Sequence, residues 1–341
     1  MKNLFILAFT AMMISFIVTP LVKMLANKIG AIDVPKDDRR VHKKPTPLLG
    51  GLAIYIAFVA VVFLKKGSIS TSEWGILTGA TVIVIGGILD DKFELRPLIK
   101  LAFQLVAAAC LLAADVQIES ITNPFGNIPY VTLGLFYVPL SIIWIVGVTN
   151  AINFIDGLDG LAAGSALIST LTILLVAILK ERYATACLTA ILSGAILGFL
   201  PYNFNPASIF MGDTGAQLLG FILAAISIEG AVKSATAIAI AVPILALGLP
   251  IFDTLFAMVR RKVNGKPMSQ ADRGHLHHRL LDMGLSQRQA VFIMYVISAT
   301  LGGIAIIALQ ISSKGAYFLL AAVIVVIVFI CWKIGLFKHK E

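Results

Sequence analysis

Long apolar runs limit what this chain can fold into. A helix needs about 17 to 25 apolar residues to cross a hydrocarbon core about 30 Å thick. Eleven runs of that length follow one another along the sequence: 4–22, 48–64, 73–89, 98–115, 131–149, 161–179, 184–201, 214–230, 235–258, 291–310 and 315–335. Hydrophobic residues make up 59% of the 341 positions and charged residues 13%, which leaves too few polar side chains to solvate a soluble domain. We therefore predict an all-α integral membrane protein, a polytopic bundle of about 11 transmembrane helices forming one domain over residues 1–341.

The basic residues predict how this bundle is oriented. The formal net charge is +9, and the cations lie in short segments beside the apolar runs, which is typical of positive-inside topology rather than of nucleic-acid binding. With the N-terminus outside and the C-terminus cytoplasmic, 20 of the 27 Lys and Arg residues fall on the cytoplasmic side. The cytoplasmic loops are then 23–47, 90–97, 150–160, 202–213 and 259–290.

Prolines mark two segments where a helix should break or the chain should turn. Pro243 and Pro250 lie inside the ninth run and should kink or break that helix, because proline removes a backbone donor. Segment 116–130 contains Asn123-Pro124 and predicts an external turn or hairpin.

Two adjacent carboxylates, Asp90 and Asp91, end the third run. Side by side at a membrane boundary they repel each other and resist desolvation, and a nearby cation, most economically a divalent metal, would offset that cost. The alternative is a solvated helix end without a function.

Polar residues recur at every third position after the fifth run, at Asn150, Asn153, Asp156 and Asp159. A helical path would bring neighbouring members of this series toward a shared face. Gly157 lacks a side chain and would let the backbone approach a phosphate or sugar closely. The alternative is a glycine-rich turn whose acids are merely hydrated.

A third acid, Asp213, begins the eighth run. An acid in the first turn of a helix is favoured by the helix dipole, so a capping role is the alternative to a functional one. The orientation above places it on the same side as the other two acidic segments. Together, three helix ends presenting Asp would suit Mg²⁺ and a pyrophosphate.

Histidines and lysines complete the candidate set. His275, His277 and His278 precede Arg279 in the largest cytoplasmic loop, where contact with a nucleotide's phosphates, zinc ligation and a solvated loop are the three interpretations. Lys43 and Lys44 belong to a basic cluster in the first loop that would also attract anionic lipid head groups.

The order of these motifs resembles one family, the bacterial polyprenyl-phosphate sugar-1-phosphate transferases. The resemblance rests on Leu89-Asp90-Asp91, on segments 150–160 and 210–215, on His275-Leu276-His277-His278, and on the proline- and glycine-containing segment 45–51. It implies that UDP-N-acetylglucosamine (UDP-GlcNAc) donates GlcNAc-1-phosphate to undecaprenyl phosphate with Mg²⁺, or Mn²⁺ in its place, and that UMP is released. The product, undecaprenyl-pyrophosphoryl-GlcNAc, would start a cell-envelope glycan of the wall teichoic acid or O-antigen (lipopolysaccharide) type at the cytoplasmic face of the bacterial membrane.

The resemblance also implies roles for individual residues. The metal ligands would be Asp91 and Asp213, with Asp90 as a base on the lipid phosphate or a further neighbour of the metal. The catalytic set would be Asp90, Asp91, Asp156, Asp159 and His275. The substrate-binding set would be Lys43, Lys44, Asn150, Asn153, Gly157, Asn203, Phe210, His277, His278 and Arg279, with Asn203 and Phe210 near uridine and a lysine on the acceptor phosphate.

Two other functions remain open from the sequence. Phospho-MurNAc-pentapeptide transferase is a relative, although the His-Leu-His-His pattern and the basic tail after the eleventh helix are closer to the GlcNAc-1-phosphate group. A lipid-linked substrate flippase would line its cavity with the same polar motifs, although the apolar runs are almost free of the acids that mark transport paths. Direct attack by the lipid phosphate and a two-step path through an Asp nucleophile also remain open, as does a homodimer.

Overall fold

The computed structural model describes residues 2–35, 44–123, 130–232, 241–265 and 274–333. Within these ranges the chain is almost entirely helical. The helices are α1 (Lys2–Ile29), α2 (Gly50–Leu64), α3 (Thr71–Phe93), α4 (Pro97–Ala113), α5 (Tyr137–Phe154), α6 (Leu161–Leu179), α7 (Tyr183–Asn203), α8 (Gly212–Val232), α9 (Ala241–Ala246), α10 (Gly248–Val263), α11 (Leu276–Asp282), α12 (Gln287–Ala308) and α13 (Ser313–Lys333). Two antiparallel ladders join β1 (Ile32–Asp33) to β2 (Thr46–Pro47) and β3 (Ser120–Thr122) to β4 (Tyr130–Thr132).

These helices confirm an all-α membrane protein. Every predicted run overlaps a helix, and six helices of the described residues are long and apolar enough to cross a membrane: Lys2–Ile29, Thr71–Phe93, Gly134–Phe154, Leu161–Leu179, Tyr183–Asn203 and Gln287–Ala308. Shorter apolar helices cover Gly50–Leu64, Pro97–Ala113 and Lys314–Phe329. The count of eleven spans and the orientation stay predictions.

Several helices extend further than the predicted loop boundaries. Helix α3 continues to Phe93, α5 to Phe154 and α7 to Asn203, so the acidic and amide motifs lie partly on helix ends rather than in loops. The length of an apolar run cannot predict this extension, because polar residues at these ends stay in the helix when the bundle supplies partners for their side chains.

The structure confirms the predicted break in the ninth run and the predicted hairpin. The ninth run is broken at Leu247 into α9 and α10, and Pro250 falls in the first turn of α10, where its missing N–H is tolerated. Segment 116–130 contributes β3 to a hairpin with β4. That hairpin delays the fifth helix, which begins at Tyr137 rather than near residue 131.

Helix α8 forms the centre of the bundle and packs against α2, α3, α5 and α6. Its residues from Ala216 to Ile226 are almost entirely buried. Glycines allow this close packing: a Cβ on Gly51 of α2 would overlap the backbone at Gly215, and one on Gly87 of α3 would overlap Thr214. The N-terminus of α8 therefore lies against the C-terminal end of α3.

Backbone hydrogen bonds fix the segment that precedes α8. Gly50 N donates to Phe210 O at 2.9 Å, Gly51 N donates to Met211 O at 3.0 Å, and Phe210 N donates to Pro47 O at 2.8 Å. The proline- and glycine-containing segment 45–51 thus holds the strand-like entry to α8 in place.

Candidate active site

A pocket of about 660 Å³ lies where helix ends meet. It is within the size range of small-molecule sites. The pocket brings together nine residues that the sequence singled out: Asp90, Asp91, Asp156, Gly157, Asp159, Asn203, Phe210, Asp213 and His278. The three acidic motifs therefore converge, as their shared side of the bundle predicted.

Asp91 caps helix α8 from the neighbouring helix α3. Its Oδ1 accepts from Asp213 N at 2.7 Å, and its Oδ2 accepts from Thr214 N at 3.1 Å and from Thr214 Oγ1 at 2.6 Å. Gly212 has φ 71°, and a Cβ there would overlap the Asp91 carboxylate. The capping that the sequence suggested for Asp213 thus comes from Asp91, which leaves the Asp213 side chain to face the pocket.

Lys100 joins two of the acids. Its ammonium forms an ion pair with Asp90 and another with Asp213 at 2.6 Å. The second oxygen of Asp90 accepts from Leu95 N at 2.8 Å, and Asn153 Nδ2 donates to Asp213 Oδ1 at 2.9 Å. The sequence reasoning missed Lys100 as a site residue, although a lysine just after Pro97 at the start of an apolar run, on the side of the acids, was the available signal.

The turn between α5 and α6 holds Asp156 and Asp159 at the pocket wall. Asp159 Oδ2 accepts from Asn205 Nδ2 and from Ala207 N, both at 3.0 Å, so this acid fastens the segment after α7. Asp156 is different, because burial, reinforced by the charges of Asp213 and Asp91, raises the pKa of its carboxyl to about 8. Asp156 is therefore a pocket acid that holds a proton near neutral pH when no metal is bound.

Two of the predicted histidines are buried rather than open to the pocket. His275 Nδ1 lies 2.7 Å from Asp253 Oδ2, and Leu276 N donates to Asp253 Oδ1 at 2.9 Å. His277 packs against Gly157, and burial lowers the pKa of its imidazole to about 3, so the ring is neutral. Asp253 of α10 thus holds His275, which is not part of the pocket lining. The sequence analysis did not identify Asp253 as its partner.

Three of the remaining candidates, Asn150, Lys44 and Arg279, lie outside the pocket lining. Asn150 lies one helical turn below Asn153 and exchanges two hydrogen bonds with Gln104. Lys44 is exposed, and neither Lys44 nor Arg279 lines the pocket. The interpretation of Lys43 as a contact of the acceptor phosphate falls outside the described residues.

A second cavity, of about 460 Å³, is apolar and lies between α5, α8, α9 and α10. Its wall along α5 runs from Leu140 through Trp144 to Ala151. It therefore extends along the same helix whose last turn carries Asn153, the hydrogen-bond donor to Asp213 of the polar pocket.

Acids outnumber cations in the polar pocket. Among the described residues its lining carries the carboxylates of Asp33, Asp90, Asp91, Glu94, Asp156, Asp159 and Asp213, against the ammonium groups of Lys92 and Lys100. No three His, Cys, Asp or Glu side chains in the described ranges form a ready-made metal-binding group. The donor chemistry still fits Mg²⁺, which prefers a few carboxylates together with substrate phosphates.

Comparison with known proteins identifies the family. The profile of glycosyl transferase family 4 matches residues 73–231. A probable undecaprenyl-phosphate N-acetylglucosaminyl 1-phosphate transferase of Bacillus subtilis (strain 168) is 44% identical over 285 residues, covering 82% of this chain and 78% of the relative. The chain belongs to glycosyl transferase family 4.

Other members of glycosyl transferase family 4 are similar over most of their length. Decaprenyl-phosphate N-acetylglucosaminephosphotransferase of Mycobacterium tuberculosis (strain CDC 1551 / Oshkosh) is 37% identical over 87% of this chain and 80% of its own. A phospho-N-acetylmuramoyl-pentapeptide-transferase of Streptococcus uberis (strain ATCC BAA-854 / 0140J) is 38% identical, but over 59% of this chain and 64% of its own. The resemblance drawn from the motifs is confirmed.

Proposed function

We propose that this protein transfers GlcNAc-1-phosphate from UDP-GlcNAc to undecaprenyl phosphate, releasing UMP and forming undecaprenyl-pyrophosphoryl-GlcNAc. One observation carries the proposal. Acids from α3, α8 and the turn after α5 converge with Lys100 on one pocket, and a separate apolar cavity lies along α5, the helix that leads into that turn. A water-soluble donor and a lipid acceptor need such neighbouring polar and apolar sites.

The polar pocket is the donor site. Asn203 and Phe210 form the wall for uridine, and the Asp156–Asp159 turn forms the wall for the sugar phosphate. Lys100 supplies positive charge at the pyrophosphate, where a fixed cation stabilises the charge that develops during phosphoryl transfer. The neutral ring of His277 supports Gly157 from behind, and His278 faces the pocket itself.

The apolar cavity along α5 holds the polyprenyl chain of the acceptor. Its lining is formed almost entirely by apolar side chains, among them Leu140, Ile143 and Trp144. A hydrocarbon chain placed there would carry its phosphate toward the C-terminal end of α5, where Asn153 and Asp213 lie.

The reaction exchanges one phosphoanhydride for another. An oxygen of the lipid phosphate forms a bond to the sugar-linked phosphorus of UDP-GlcNAc, and the bond from that phosphorus to the bridging oxygen of UMP breaks. With both phosphates fully ionised, no proton is gained or lost. A two-step path through an Asp nucleophile would use the same residues.

Mg²⁺ is part of the proposal, because the pocket would otherwise hold more negative charge than its lysines balance. Asp213 and Asp91 would hold it, Asp213 with the oxygens that face the pocket and Asp91 beside the start of α8. The ion would screen the phosphate charges and orient the donor.

UMP release tests the function. Purified protein given UDP-GlcNAc, undecaprenyl phosphate and Mg²⁺ should release UMP, and chelation of the metal should stop the release. Asp213→Asn should insert normally but lose turnover. Activity on UDP-MurNAc-pentapeptide alone would move the protein to the second candidate, a phospho-MurNAc-pentapeptide transferase, which is the activity named for the partially matching streptococcal relative.

Labelling of single cysteines tests the orientation and the flippase hypothesis. The predicted eleven-span topology would put the pocket on the cytoplasmic face. Cysteines introduced at positions 156 and 213 should then react with a membrane-impermeant reagent only when the cytoplasmic face is open to it. Reaction from both faces, together with movement of substrate without bond cleavage, would support a flippase instead.

A further inference from the structure

Below the ionic groups of the pocket lies a second polar layer made of side-chain amides. Gln104 Nε2 donates to Asn150 Oδ1 at 3.2 Å and to Gln217 Oε1 at 3.0 Å, and Asn150 Nδ2 donates to Gln104 Oε1 at 2.8 Å. Gln104 and Gln217 are buried, at 2% and 3% exposure. We call these three residues the amide layer.

In the amide layer, as in the layer above it, each of the helices α4, α5 and α8 contributes one polar side chain. Helix α4 carries Lys100 and then Gln104, helix α8 carries Asp213 and then Gln217, and helix α5 carries Asn153 and then Asn150 one turn deeper. Residues three or four apart lie on the same helix face. Each helix therefore places one amide a turn beneath a residue of the layer formed by Lys100, Asn153 and Asp213.

The three helices approach closely enough for these short side chains to meet. A Cβ on Gly220 of α8 would overlap the backbone of Thr149 on α5, so the two helices are in backbone contact one turn from Gln217. Gln104 then bridges from α4 to both. Rotation of any one helix about its axis would break at least one bond of the amide layer and would also move its residue in the pocket.

We propose that Gln104, Asn150 and Gln217 are positioning residues that fix the rotation of α4, α5 and α8, so that Lys100 and Asn153 both contact Asp213 at the pocket. The proposal rests on the proposed function, which gives Lys100 to the donor pyrophosphate and Asp213 to the metal. It also gives Asn150, which the sequence predicted as a substrate contact, a role one layer below the substrate.

Alignment rather than stability is the main consequence of such a layer. Hydrogen bonds between membrane helices contribute only modestly to stability, whereas side-chain hydrogen bonds between buried positions favour one arrangement of their helices. A misplacement of about 1 Å at a reacting group costs on the order of 100-fold in rate. The amide layer should therefore affect kcat far more than it affects folding.

Apolar replacement separates these two effects. Gln104→Met alone removes the partner that Gln217 Oε1 and the Asn150 side chain share, although Asn150 Nδ2 keeps its bond to Val146 O. It should therefore lower the melting temperature and lower kcat. The triple variant Gln104→Met/Asn150→Leu/Gln217→Met removes every amide, and replacing all partners with apolar groups of similar shape is nearly neutral for stability. Its melting temperature should recover, while kcat for UMP release should stay about 100-fold below that of the wild type. KM for UDP-GlcNAc should change little, because Asn203, Phe210 and the loop after α5 are untouched.

Ser169→Ala is the matched control. Ser169 Oγ donates to Ala246 O at 2.7 Å inside the bundle, so this variant also removes a buried interhelical hydrogen bond but lies outside the two layers. Its kcat should equal that of the wild type.

The proposal is overturned if kcat of the triple variant recovers to the wild-type value together with its melting temperature. If the triple variant does not fold, Gln217→Met decides alone: it keeps the Gln104–Asn150 pair and should fold with reduced kcat, and a wild-type kcat would reject the role in alignment. Absence of UMP release from the wild type would instead reject the proposed function.

Discussion

Replacing Lys100 with methionine should nearly abolish turnover, because its ammonium pairs with both Asp90 and Asp213. Methionine keeps an unbranched side chain of similar length but no charge. Removing one partner of a buried ion pair costs about 3–5 kcal/mol, and the lower value applies because the Lys100 side chain is 31% exposed. If this loss of about 3 kcal/mol falls on the transition state, it corresponds to a decrease of about 150-fold in kcat, since 1.36 kcal/mol is tenfold.

Lys65→Met provides a matched comparison at the opposite end of α3. Lys65 Nζ forms an ion pair with Glu73 Oε1 at 2.9 Å, and the Glu73 side chain is also buried. The same substitution there removes a similar pair far from the pocket. We expect it to lower the melting temperature and to leave kcat close to that of the wild type.

Both variants are measured by UMP release and by thermal unfolding in the same detergent. The reasoning fails if Lys100→Met keeps wild-type kcat while folded, or if Lys65→Met loses as much kcat at the same loss of stability. Either result would mean that the ion pairs act on folding alone.

The other predictions concern the walls of the pocket. In the folded protein Asp156 holds its proton up to about pH 8, whereas in the unfolded chain it does so only to about pH 4. The folded state thus binds more protons in this window, and stability should fall as the pH rises through it. Asp156→Asn should flatten the change of melting temperature with pH, measured without divalent metal, and an unaltered slope would contradict the assignment. Gly157→Ala should displace the ring of His277 and raise KM for UDP-GlcNAc, whereas Gly303→Ala, where a Cβ meets nothing within 4 Å, should behave as the wild type. Asp253→Asn should remove one of the two acceptor oxygens that hold His275 Nδ1 and Leu276 N and lower the unfolding free energy by about 1–3 kcal/mol; an unchanged denaturant midpoint would show that the second oxygen is not needed.

The sequence could predict the helices and the convergence of the acidic motifs, because both leave local patterns. Apolar length identifies a membrane helix, and Asp90, Asp156 and Asp213 stand out at the ends of apolar runs. The break of the ninth helix was also predictable, because proline acts through its own backbone.

Single polar residues inside apolar runs could not be assigned in the same way. Gln104 and Gln217 have no local pattern, and their partners lie 46 and 113 positions away along the chain. Asp253 lies within a predicted span, and its partner His275 belongs to a different helical segment. Only the packing of the bundle shows that each of these residues has a hydrogen-bond partner.

The adjacent carboxylates Asp90 and Asp91 show how packing changes an interpretation drawn from sequence. Neighbouring residues on a helix point about 100° apart, so the two acids face different partners rather than one shared cation. Asp90 meets the ammonium of Lys100, and Asp91 meets the N-terminal amides of α8. The repulsion that suggested a divalent metal between them is thus offset separately at each acid. The Asp-Asp motif therefore joins α3 to both α4 and α8, and through Lys100 it sets where Asp213 stands in the pocket.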